Sequence, residues 1–233
     1  PAAVASCTKS RATCWAMTGI LASDAIRALG AFHFNLIRQG FVTLVLAVVV
    51  LGSGTLTLPD TTGLVVLALS GIVGILLGDT LNFAAVGRLG PRRAGAIFAL
   101  NAPMAAILGW LVLGEALGAQ AGLGIAATVA GVALAILGRP ASGAHRLEQV
   151  RGGLWLGALF GLGAALGQAT GTLIARPYMT GGLDPYLGSL IRVGASGLAM
   201  GVLAALPLAP PRPQAVTGKV LILTAATALI GLL

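Results

Sequence analysis

Apolar runs of about twenty residues recur down the whole chain, the length at which a helix crosses the hydrocarbon of a bilayer. Glycine, proline or small clusters of arginine close each run. A soluble domain carries roughly a quarter charged residues because its surface must face water. Here 9% of the residues are charged and 57% are hydrophobic, so lipid is the solvent that suits the surface. The pattern predicts an all-α, polytopic membrane helix bundle.

Eight runs can be marked, the first and last of them defective. They cover about Ala12 to Leu29, Phe34 to Gly52, Gly63 to Val86, Ala94 to Gly114, Gly118 to Leu137, Leu154 to Ile174 and Tyr186 to Leu206, with an eighth from Lys219 that is still apolar at Leu233. Asp24 and Arg27 interrupt the first. The net charge of +8 is spread between the runs, which fits the Lys and Arg enrichment of cytoplasmic loops and argues against a nucleic-acid partner. Cys7 and Cys14 lack a second cysteine pair or a nearby histidine, so no metal site is expected, and no cofactor either. No HExxH, GxSxG or phosphate loop occurs, and the chain is not expected to be an enzyme.

An internal repeat organises the runs. TGILA, FNLIRQG and TGLVVLAL in the first part are answered in order by TGTLIA, LGSLIRVG and TGKVLILT in the second, at nearly constant separation. Thr18, Arg38 and Thr62 thereby correspond to Thr170, Arg192 and Thr217. The expected domains are a first five-helix repeat over 1–138, a polar linker over 139–152 and a second repeat over 153–233. An odd number of helices per repeat makes the two halves enter the membrane in opposite senses, the inverted-repeat plan of many secondary transporters. Leu233 falls opposite Gly78, so the second repeat is expected to be incomplete by two helices.

With the stretch GDTLNFAAVGRLGPRRAGAIFALNAPMAAILGWLVLGEALGAQAGLGIAATVAGVALAI in view, the sequence resembles the EamA family of the drug/metabolite transporter superfamily. That resemblance implies ten helices in two inverted repeats, a central cavity, and transport of small metabolites or drugs, often outward, in the cell (inner) membrane. The alternative from another class is a non-transporting membrane scaffold or assembly subunit, or an inactive fragment. The partners expected are a small-molecule substrate and membrane lipid, with possible proton coupling.

Polar residues inside apolar helices are costly, and they mark a substrate path or an interior pairing. Asp79 is the foremost of them, with Asn82 three residues on and on the same helix face. It reads either as a substrate ligand or proton-coupling carboxylate, or as a group locked to an interior arginine. Asn101 precedes Pro103, whose missing N–H breaks the helix and exposes backbone polarity. The repeat-related Arg38 and Arg192 either face the centre, ready for a carboxylate or phosphate, or snorkel to the surface. Gln168, Thr172 and Trp15 complete the candidate path, although a threonine often bonds its own helix backbone. Glu115 closes its helix at the interface, and Arg88, Arg92 and Arg93 are expected among lipid headgroups. Glycines four apart, among them Gly74 with Gly78, Gly118 with Gly122, Gly167 with Gly171 and Gly197 with Gly201, are expected to line close helix contacts.

Overall fold

The structure, a computed structural model, describes residues 2–54, 56–137, 152–207 and 216–231, with side chains from residue 22 onward. Helices make up most of these residues, joined by short connections, and no strand occurs among them. In chain order the elements are α1 (Ala2–Ser53), α2 (Thr61–Gly71), a π-helical segment (Ile72–Asp79), α3 (Thr80–Leu89), α4 (Pro91–Phe98), α5 (Asn101–Leu113), α6 (Ala119–Leu137), α7 (Leu154–Thr180), α8 (Pro185–Ala205) and α9 (Gly218–Ile230).

Six stretches are long and apolar enough to cross a membrane: Ala22–Ser53, Thr61–Leu89, Pro91–Leu113, Ala119–Ile136, Leu154–Thr180 and Pro185–Ala205. Gly218–Ile230 is apolar but shorter. The chain is thus a multi-pass membrane bundle. Large side chains such as Leu51, Leu123, Leu134, Leu198 and Ile222 stand on its outside, which suits a surface that faces acyl chains rather than water.

Two glycines set the path of the chain. Gly30 interrupts α1 with φ 76° and ψ 159°, and Gly90 joins α3 to α4 with nearly the same geometry, φ 83° and ψ 162°. Positive φ is open to glycine at little cost and strained for other residues. The first two expected runs therefore meet at one residue, Gly30, rather than across a short linker. Pro91 opens α4, where a missing N–H costs nothing.

The break expected at Pro103 lies one turn upstream of it. Proline withholds the bond to the carbonyl four residues back, here Ala99, and the helix is interrupted between Phe98 and Asn101. Leu100 N–H donates instead to the Ile97 carbonyl at 3.0 Å, a tighter turn that carries the chain into α5.

The core forms where α1 meets α3, α8 and α9, and where α7 meets the π segment, α3 and α5. Ala22, Ala25, Ile26, Leu29, Phe34, Phe83 and Val86 form its largest cluster. Phe34 and Phe83 meet edge to face at 4.7 Å, an arrangement that pairs a ring's positive edge with a negative face. α6 stands at the periphery against α4 and α5.

The glycine stripes divide into two kinds. A Cβ at Gly171 would lie 2.6 Å from the Gly74 Cα, and one at Gly167 would lie 3.2 Å from the Gly78 Cα, so α7 and the π segment touch backbone to backbone. Gly118, Gly122 and Gly201 meet nothing within 4 Å. The expectation of close contact at those three positions is corrected: none of them backs onto a neighbouring helix among the described residues.

Candidate functional site

The polar residues of the first two spans converge on Asp79, the last residue of the π segment. Asn35, Arg38 and Gln39 stand on α1 past the Gly30 break, at the spacing that puts three side chains on one helix face. Gln39 Nε2 donates to Asn35 Oδ1 at 2.9 Å and reaches Asp79 Oδ2 at 3.4 Å. Arg38 Nη1 lies 3.4 Å from the same carboxylate oxygen, and its guanidinium also sits over the Phe83 ring, 5.7 Å from the centroid. Charge-assisted bonds at their strongest are about 2.7–2.9 Å long. Asp79 is therefore held by two long contacts rather than one tight one.

Asn35 links this group to the backbone. Its Nδ2 donates to the Thr80 hydroxyl at 2.8 Å and to the Ile75 carbonyl at 3.3 Å, inside the π segment. A π helix widens the turn and leaves its carbonyls differently aimed from those of an α-helix, and such segments occur frequently at functional sites. Asn35 and Gln39 are 0% and 1% exposed, so their amides have no solvent to fall back on and depend on these partners.

Arg192 approaches the same segment from α8. Its Nε donates to the Ser70 hydroxyl at 2.8 Å, and a methyl at Gly71 would overlap the Arg192 carbonyl. A Cβ at Gly74 would stand 3.6 Å from Arg192 Nη2 and 3.5 Å from Gln168 Oε1. The charge of Arg192 also reaches Asp79. Arg38 and Arg192 thus both lie inside the bundle rather than at its surface. The two are related in a further way, since Arg38 Nη2 would be 2.8 Å from a Cβ at Gly231. Each arginine lies beside a glycine of the apolar helix that follows the other.

The remaining candidates separate. Asn82 and Gln168 each carry a buried oxygen, Oδ1 and Oε1, with no hydrogen-bond donor. Thr172 is exposed, and its hydroxyl donates to the Gln168 carbonyl at 2.8 Å. Asn101 is half-buried at the start of α5 and takes no part in the hydrogen bonds around Asp79. Trp15 lies on α1, and its side chain is outside the described residues.

Glu115 is placed in an ion pair. It follows Gly114, which ends α5 at φ 67°, and Arg176 Nη1 lies 2.8 Å from its Oε1. The pair ties the ends of α5 and α7 together, with both side chains 44% exposed. Arg88 stacks over the Phe160 ring at 4.7 Å. Among the described residues no group of three His, Cys, Asp or Glu could hold a metal ion.

Asn35, Gln39 and Ser70 are the members of the site that the sequence reading passes over. The four-residue spacing of Asn35 and Gln39, with Arg38 between them, is a signal that three costly polar groups share one face. Ser70 gives none, because a lone serine in an apolar helix usually bonds its own backbone. The assembled group, with one carboxylate, two guanidiniums and several amides inside a lipid-facing shell, suits reversible binding of a small polar molecule. It contains no nucleophile paired with a general base.

The model of the EamA-like transporter family matches residues 10–137. No curated protein matches the chain. The matched range runs from α1 through α6 and includes Arg38, Asp79, Asn82, Asn101 and Pro103.

Proposed function

Because the chain belongs to the EamA-like transporter family, we propose that it carries a small molecule across the cell (inner) membrane through the polar group around Asp79, most naturally outward as an exporter. The observation that carries this reading is the Arg38 to Asp79 contact, 3.4 Å long and buried among apolar helices. An ion pair at that depth is expensive to build, and a purely structural contact there is replaced by apolar packing at no loss. A loosely held pair, by contrast, exchanges partners readily with a polar cargo.

In this reading the first repeat covers 1–138 and the second 153–233, joined by the linker at 139–152. Alternating access arises as the two repeats rock about the contact between α7 and the π segment. The glycine backbones there offer a smooth surface on which two helices slide. Asp79 is the group that releases and regains Arg38 during the cycle, with a proton as its possible coupling partner.

Reconstituted flux tests the proposal. Proteoliposomes loaded with a mixture of small metabolites are followed by mass spectrometry for loss of internal species. Protein-dependent efflux that disappears in Asp79→Asn supports the reading, and unchanged efflux in that variant sinks the role given to Asp79.

A further inference from the structure

Arg38 directs Nη1 at Asp79 Oδ2, 3.4 Å away, and a Cβ at Gly231 would lie 2.8 Å from its Nη2, so α9 stands close on that side. Its Nε is buried and has no acceptor. On α3, Asn82 Oδ1 is buried and has no donor. The residues that Arg38 touches bracket this asparagine: Asp79 lies three positions before it, and Phe83, whose ring centroid is 5.7 Å from the guanidinium, directly follows it. Positions three and four apart are neighbours on a helix face. A donor without an acceptor and an acceptor without a donor therefore belong to one patch of α3, the patch against which Arg38 lies. Gln168 Oε1, also buried without a donor, stands beside Gly74 and Arg192 instead.

Resting on the transport reading above, we infer that Asn82 is the second seat of Arg38. When Asp79 lets go, the guanidinium shifts along α3 by less than one helical turn, and its Nε–H donates to Asn82 Oδ1. A buried cation whose counter-ion has left is costly unless its hydrogens find acceptors. The amide oxygen supplies one without adding a charge. A bond from a cation to a neutral amide is weaker than one to a carboxylate. The pair with Asp79 is thus the resting arrangement, and the seat at Asn82 is a minor state that release of the carboxylate populates. Asn82 acts through Arg38 and is a positioning residue: its loss slows the step in which Asp79 is free and leaves the resting fold intact.

Two substitutions at one position test this by thermal unfolding of the full chain in lipid nanodiscs. Asn82 Oδ1 has no partner to lose in the resting arrangement, so Asn82→Leu is expected to leave the unfolding temperature unchanged or raised. In an Asp79→Ala background the same substitution removes the remaining seat of Arg38, and it is expected to lower the temperature by at least about 3 °C. Asn82→Asp in that background moves the carboxylate to the second seat and is expected to raise the temperature instead. In proteoliposomes loaded with a mixture of small metabolites, Asn82→Leu alone is expected to slow efflux at least ~10-fold.

An equal change in unfolding temperature for Asn82→Leu in both backgrounds overturns the second seat, because coupled positions do not add. A relocated carboxylate that brings no gain, or that fails to restore folding where Asp79→Ala alone does not fold, overturns it too. Efflux that Asn82→Leu leaves intact while Asp79→Asn abolishes it refutes the seat and keeps transport. Absence of efflux from the parent refutes the transport reading, and the unfolding cycle then still decides whether Arg38 reaches Asn82.

Discussion

Gly171 of α7 backs onto Gly74 of the π segment so closely that a Cβ on Gly171 would stand 2.6 Å from the Gly74 Cα and 2.7 Å from its nitrogen. Both obstacles are backbone, so no rotamer change relieves the overlap. In lipid, helices associate through such packing because apolar surface gains little by leaving acyl chains. The contact is also the seam on which Ser70, Gly74 and Gln168 are brought beside Arg192, so packing and site geometry depend on the same glycines.

Gly171→Ala is accordingly expected to destabilise the protein by about 1–3 kcal/mol, the usual cost of overpacking a tight interior. Thr172→Val, one residue on, faces outward and gives up only a bond to its own helix, at 2.8 Å from the Gln168 carbonyl. It is expected to leave stability within about 0.5 kcal/mol of the parent. Thermal unfolding of the two variants in nanodiscs checks both, and equal loss in the two variants contradicts the glycine seam.

Asn35 is the buried clamp of the π segment. Its Nδ2 serves Thr80 Oγ1 and the Ile75 carbonyl, while its Oδ1 accepts from Gln39. Asn35→Leu leaves three polar partners short of a bond, Gln39 buried and Ile75 and Thr80 partly so, and each orphan costs up to about 1–3 kcal/mol. The variant is expected to be the least stable of the single polar substitutions here and to expose the π segment. A cysteine placed at Leu76, 7% exposed in the parent, is expected to react faster with a membrane-permeant thiol reagent in the Asn35→Leu background. Equal reactivity in the two backgrounds refutes the clamp.

Much of this architecture is legible in the sequence, for stated physical reasons. Run length fixes the membrane spans, because hydrocarbon thickness leaves little choice. Asp79 and Arg38 stand out because an ionisable group at depth has to be explained. Pro103 announces its break because a missing N–H cannot be hidden. Other features depend on which helix face turns inward, and a uniformly apolar helix does not show that. Gly118 with Gly122 has the same spacing as Gly74 with Gly78, yet only the latter pair meets a neighbour. Gln168 and Thr172 are also four apart, and only Gln168 joins the site. The π segment has no residue signature at all, since it follows from the fit of Gly71, Gly74 and Gly78 against α7 and α8 rather than from local preference. Gly30 reads as an ordinary glycine until its positive φ shows that α1 is kinked there.

The Glu115 to Arg176 pair joins α5 to α7 at 2.8 Å, but both side chains are 44% exposed. Water and salt screen such contacts, and exposed pairs contribute about 0–1 kcal/mol. A double-mutant cycle with Glu115→Gln and Arg176→Gln is expected to give a coupling within that range that shrinks as salt is added. A coupling several times larger and insensitive to salt contradicts the exposure seen here.

The ion pair at Arg38 and Asp79 behaves oppositely. It is 15% and 20% exposed, and loss of either partner leaves a charge inside the bundle, with the Phe83 ring beside Arg38 and the Gln39 amide beside Asp79. Asp79→Asn leaves two guanidiniums inside the bundle with no anion, and Arg38→Gln leaves the carboxylate with Gln39 as its remaining direct partner and the more distant charge of Arg192. Breaking a buried pair costs about 3–5 kcal/mol. The double variant removes one charge of each sign and keeps the net charge of the group as in the parent, so it is expected to recover about 1–3 kcal/mol relative to the sum of the single losses. Transport is expected to stay absent in all three, because stability needs only that neither member of the pair is left without the other, whereas a transport cycle needs a carboxylate that lets go of its arginine. The cycle is read by thermal unfolding and the flux by proteoliposome efflux. Recovery of efflux in the double variant, along with stability, contradicts the functional role of the pair and leaves it a structural contact.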